Sequence, residues 1–129
     1  MKKILYIFII SFILNLIWEN LHVLLYDNYS GGQITQFILF RASIGDAIMI
    51  SIIALPFIFL GFFKRNKWLI IPIGLVIAIS IEIYALSVGR WAYNEFMPLI
   101  PLLKIGLTPT IQLALLGYLS LILNNKFIK

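Results

Sequence analysis

Trp68-Leu-Ile-Ile-Pro-Ile-Gly-Leu-Val-Ile-Ala-Ile-Ser-Ile-Glu-Ile-Tyr-Ala-Leu-Ser-Val88 is the stretch that decides the fold. It carries a single charged side chain, Glu82, and Pro72 lies in its first turns, where a missing N–H costs little. At a rise of about 1.5 Å per residue it makes a helix of roughly 31 Å, the thickness of a bilayer's hydrocarbon core. Outward from it, three more runs have the same character: about 4–25, 37–63 with Pro56 near its far end, and 105–123. A polar turn occupies 27–33. The first run lacks a small-x-small cleavage pattern at its flank, Asn15-Leu-Ile-Trp-Glu-Asn20, and reads as a retained helix. The expected fold is all-α, a four-transmembrane-helix bundle forming one polytopic membrane domain over 1–129.

Composition agrees. Of 129 residues, 62% are hydrophobic and 12% charged, with a mean hydropathy of +1.04. A soluble domain runs nearer half apolar and a quarter charged. Too little polar surface remains here to cover a water-facing exterior, and four crossings leave no room for a soluble catalytic or nucleic-acid-binding domain. The absence of Cys excludes disulfides and thiolate sites, and the single His excludes multi-histidine metal boxes. The net charge of +5 does not point to nucleic acid, because the cations follow a membrane pattern. Lys2, Lys3, Lys64, Arg65, Lys67, Lys126 and Lys129 fall on one side of four spans; Arg41, Arg90 and Lys104 fall on the other. This asymmetry predicts both termini on the cytoplasmic side of a cell's inner membrane.

The informative residues are the acids inside the spans: Glu19, Asp46 and Glu82. An acid at a helix centre costs about 2.5–3.5 kcal/mol on insertion, so these side chains are expected to face the bundle interior or a wet cavity. Helix rise places Glu19 about 22 Å from the cytoplasmic end of its span and Glu82 about 20 Å. Asp46 lies about 12 Å, and Gln112 about 10 Å, below the opposite surface. Four alternating helices therefore deliver polar groups to one layer in the outer half, and the inner half reads as almost purely aliphatic. Asn15, Glu19, His22 and Tyr26 share one helical face, Ser43 and Asp46 another, and Thr108 and Gln112 a third. Arg41 and Arg90 belong at the outer mouth. Small residues at four-residue spacing (Ser43, Ala47, Ser51; Gly74, Ala78) suit close helix packing within one bundle, or a homo-oligomer seam.

Several chemistries fit this layer. Glu19-Asn-Leu-His22 is a Glu-x-x-His element that could ligate one metal, but paired-carboxylate centres need two such elements, and no cofactor is expected. Acid–base chemistry on a lipid would use Glu82 or Glu19 as the acid, with Asp46 ionised beside an arginine. Binding without chemistry is the third option: a lipid or isoprenoid ligand, or a subunit that stabilises a membrane-protein partner. A closed network that only fixes helix register is the bland alternative. Asn15, His22 and Gln112 complete the expected pocket, with Arg41 and Arg90 at its rim. The connection 89–104, with Trp91, Tyr93, Phe96, Pro98 and Pro101, reads as an irregular interfacial segment capping the layer.

Glu82-Ile-Tyr-Ala-Leu-Ser-Val-Gly-Arg-Trp-Ala-Tyr93, followed by Ile105-Gly-Leu-Thr-Pro109, resembles the lycopene cyclase domain of carotenoid biosynthesis over about a quarter of the chain. The resemblance implies an isoprenoid substrate and an acid near Glu82. The family's Pro-x-Glu-Glu acids would align with Pro109-Thr-Ile-Gln112, which holds no carboxylate. The whole chain is also similar to small uncharacterised bacterial four-helix membrane proteins, with Trp18-Glu19, Gly45-Asp46 and Met97-Pro98 carrying the likeness.

Overall fold

The computed structural model describes residues 2–29 and 32–127; Lys129, and the Ser30–Gly31 pair of the polar turn, lie outside the described residues. Helix α1 (Lys2–His22) ends in one 3-10 turn, Val23–Leu25, and leads into strand β1 (Tyr26–Tyr29). Helix α2 is Gln36–Phe59, α3 is Gly61–Arg65 and α4 is Ile70–Ser87. Strand β2 (Trp91–Tyr93) precedes α5 (Leu107–Phe127). Four segments are long and apolar enough to cross a membrane: Lys2–Leu25, Gln36–Phe59, Lys67–Ser87 and Leu107–Lys126.

The boundaries follow local chemistry. Thr35 caps α2, its Oγ1 accepting from the Ile38 amide at 3.3 Å. The expected 37–63 span is instead two helices. Helix α2 runs through Pro56, whose carbonyl accepts from the Leu60 amide (2.9 Å), and the break comes at Leu60, which leaves the helix with φ −105° and ψ 126°. Helix α5 starts at Leu107 rather than 105, because Ile105 accepts from the Ile100 amide (2.8 Å) and the Leu107 amide donates to Pro98 (2.7 Å), closing a tight loop. In that loop Leu102 and Lys104 adopt left-handed φ values of 74° and 56°.

The all-α class holds, with one short addition: β1 and β2 form an antiparallel ribbon pairing Tyr26 with Tyr93 and Tyr29 with Trp91. The connection after α4 is thus part strand, because its backbone finds partners in the segment after α1. Asn94 fastens the ribbon, its amide donating to Leu25 (2.9 Å) and its Nδ2 to Leu24 (2.6 Å). Tyr26 therefore lies beyond the helical face it was expected to share. The half nearer the termini is also less aliphatic than expected, for Ser120 and Asn124 are buried there. Ser120 bonds its own helix at Leu116 (2.7 Å), so it adds no link between helices.

Packing inverts the soluble pattern. Ser11, Asn15 and Ser43 are fully inside, while Leu21, Ile52 and Val76 are 70%, 60% and 64% exposed. Helix α1 packs along α2 and α5, and α5 packs along α4, whereas α2 and α4 barely touch. The tightest crossing is at Gly74, where an added Cβ would lie 2.8 Å from the Ala114 Cα. There, and at Ser43 and Ala47, the small residues serve contacts inside the bundle. The apolar core (Ile7, Ile50, Phe57, Ile70, Leu116, Leu121) fills the end nearer the termini, and the polar groups gather toward the ribbon.

Candidate functional site

The loose α2–α4 seam opens into a cavity of about 310 Å³. Ile38, Arg41, Ala42, Gly45, Asp46 and Met49 line it from one continuous face of α2, and Ala78, Ile81 and Glu82 line it from α4. Asn15 and Glu19 of α1, with Gln112 of α5, form the back wall, and Tyr26, Arg90 and Trp91 lie at the ribbon end. Gly45 leaves space open, as an added Cβ would meet nothing within 4 Å.

Glu19, Asp46, Asn15 and Gln112, contributed by three helices, meet at a single amide. The Gln112 Nε2 donates toward Asn15 Oδ1 (2.8 Å), Asp46 Oδ2 (3.1 Å) and Glu19 Oε1 (3.2 Å). The Asn15 amide orientation is set independently, because its Nδ2 donates to the Ser11 carbonyl at 2.7 Å. An NH₂ group has two hydrogens. Three oxygens surround it, and Glu19 and Asp46 share a further hydrogen bond with each other.

His22 stands behind Glu19 rather than on the cavity wall. Its Nε2 is 3.1 Å from Glu19 Oε2 and its Nδ1 is 3.0 Å from Thr108 Oγ1, which ties α1 to α5. Facing a carboxylate, Nε2 carries a hydrogen. The Glu-x-x-His pair is thus spent on itself, and no group of three His, Cys, Asp or Glu that could hold a metal occurs among the described residues.

Glu82 is held from the ribbon. The Trp91 indole donates to its Oε1 at 3.3 Å, and the Tyr93 hydroxyl donates to the same oxygen in a short bond. Burial, and then that bond, push the Tyr93 hydroxyl well above its ordinary range, so it remains a proton donor at any physiological pH. Gly106 makes room for it: a Cβ there would lie 2.9 Å from the Tyr93 ring. Tyr26 braces both partners, with ring centroids 5.4 Å from Tyr93 and 6.5 Å from Trp91.

No family model matches the chain, and neither a curated protein nor a solved structure does. The site therefore stands on its own geometry.

Of the expected site residues, Glu19, Asp46, Glu82, Asn15, Gln112, Arg41, Arg90 and Trp91 all face one cavity. His22 and Tyr93 position Glu19 and Glu82 from behind the wall. Arg41 lies over the Phe37 ring, 6.0 Å from its centroid, and makes no ion pair among the described residues. The expectation that an arginine pairs with Asp46 is not met, since Asp46 is bound by Gln112 instead. The space beside Gly45, the room Gly106 leaves for Tyr93, and the clamp of Asn94 on the 3-10 turn after α1 were not legible in the sequence. The only signal for the ribbon was a pair of short aromatic segments, 26–29 and 91–93, too brief to stand out as strands.

Proposed function

We propose that the chain is a multi-pass membrane protein that binds a lipid or isoprenoid-like amphiphile, admitted sideways between α2 and α4. The observation that carries this reading is the open α2–α4 seam, where polar groups face a cavity whose outer surroundings are apolar. An intramembrane cavity with convergent polar groups suits a ligand that is polar at one end and apolar at the other. The local likeness to the lycopene cyclase domain supports an isoprenoid-like tail. Gln112, standing where that family carries acids, favours binding over proton donation in this chain. Acid–base turnover would fall to Glu82, whose oxygen already has two donors.

The cation asymmetry supports termini on the cytoplasmic side, with the ribbon outside. Reporter fusions after residue 127 are expected to be active only in the cytoplasm; activity on the far side would reverse the assignment.

Plugging the cavity tests the function itself. Gly45→Phe is expected to keep the fold, because an added Cβ meets nothing within 4 Å and Gly45 lines the cavity the ring would enter, and to strip the amphiphile seen by mass spectrometry of gently extracted protein. Equal retention by Gly45→Phe, or wild-type protein carrying no amphiphile, overturns the reading. It would leave the polar groups as a packing network in an accessory subunit.

A further inference from the structure

The acids of the cavity are answered from within the protein. Glu19 and Asp46 are bonded to each other, and each also meets the Gln112 amide. Glu19 has His22 as a further partner, and Glu82 takes the Trp91 indole and the Tyr93 hydroxyl. A bond between two carboxyl groups needs a proton on one of them, so the pair carries less than its full negative charge. This inner layer calls for no cation from a ligand.

The arginine end of the cavity is different. Arg41 lies five residues nearer the ribbon than Asp46 on α2, an axial offset of about 7.5 Å. Its guanidinium rests on the Phe37 ring and makes neither an ion pair nor a hydrogen bond among the described residues. Arg90 lines the same cavity, and the chain around it is fixed. Its amide donates to the Ala85 carbonyl (2.9 Å), and its guanidinium lies 5.8 Å from the centroid of the Trp91 ring. A guanidinium offers paired, planar donors that match phosphate oxygens. A neutral alcohol headgroup would leave Arg41 without an acceptor. The seam beside these arginines is lined by Ile38, Met49 and Ile81, which suits a hydrocarbon tail.

We infer that the cavity takes an anionic phosphate headgroup, held on Arg41 and Arg90 at the ribbon end, with its apolar tail leaving between α2 and α4. This rests on the amphiphile reading above and narrows it. The same phosphate chemistry is offered by a lipid phosphate and by a soluble phosphomonoester.

Native mass spectrometry in a neutral detergent separates the cases. The probes are dioleoyl-phosphatidic acid, dioleoylglycerol, which has the same tails and no phosphate, and soluble glycerol 3-phosphate. Phosphatidic acid is expected to bind about tenfold more tightly than dioleoylglycerol, a difference of about 1.4 kcal/mol. Arg41→Gln, on an exposed side chain, should remove most of that preference. Gly45→Phe, which fills the cavity and leaves both arginines in place, should remove it too. Equal binding of the two lipids by the wild type overturns the headgroup assignment and leaves amphiphile binding standing. A preference that persists unchanged in Arg41→Gln or in Gly45→Phe puts the phosphate on the outer surface and overturns the cavity site. Glycerol 3-phosphate competing as well as the lipid keeps the phosphate site and overturns the amphiphile. No binding by any probe overturns both.

Discussion

Gln112→Leu should lower the stability of the protein by about 3 kcal/mol, read as a fall in thermal midpoint in a fixed detergent. The amide donates toward Asn15, Glu19 and Asp46 together. Leucine fills a similar volume, so little of the effect comes from packing. What is lost is the neutral donor between two carboxylates from different helices, together with its bond to the buried Asn15 oxygen. A double-mutant cycle isolates this cause. Asp46→Asn places a new amide in the cluster and removes one charge, so Gln112→Leu should cost much less in that background. If the two effects simply add, or if Gln112→Leu is as stable as wild type, the amide is not the keystone of the layer.

The same small change at two glycines should act in opposite directions. In a helix interior, Gly→Ala gains about 1 kcal/mol of propensity. At Gly74 the new Cβ would sit 2.8 Å and 3.0 Å from the Ala114 Cα and N, which are backbone atoms that cannot rotate aside. Helices α4 and α5 must then separate, and overpacking of this kind costs about 1–3 kcal/mol, so the clash outweighs the propensity. Gly74→Ala is expected to destabilise, and Gly74→Leu to prevent stable assembly. At Gly45 no atom lies within 4 Å, so Gly45→Ala should keep the propensity gain and raise the thermal midpoint. A Gly74→Ala protein as stable as wild type would place the α4–α5 crossing elsewhere.

Hydrophobic run length, cation distribution and the positions of acids along each run are properties of the linear chain. They suffice for the four long apolar helices, and helix rise alone brings Glu19, Asp46, Glu82 and Gln112 to a common level. Helical phase likewise put Glu19 and His22 on one face, and they do meet. Helix spacing carries no information about which helices touch, however. That α2 and α4 stand apart, and that Gly45 rather than a bulkier side chain faces the gap, depends on lateral order set by side-chain packing. The choice of Gln112 over Arg41 as the partner of Asp46 was likewise decided in three dimensions, because α5 brings its amide between α1 and α2 while Arg41 turns onto Phe37. The ribbon that holds Glu82 joins residues more than sixty positions apart, a pairing that short-range periodicity cannot encode. Local physics along the chain determined the helices and the depth of each polar group, and only the packed bundle decided which of those groups share a cavity.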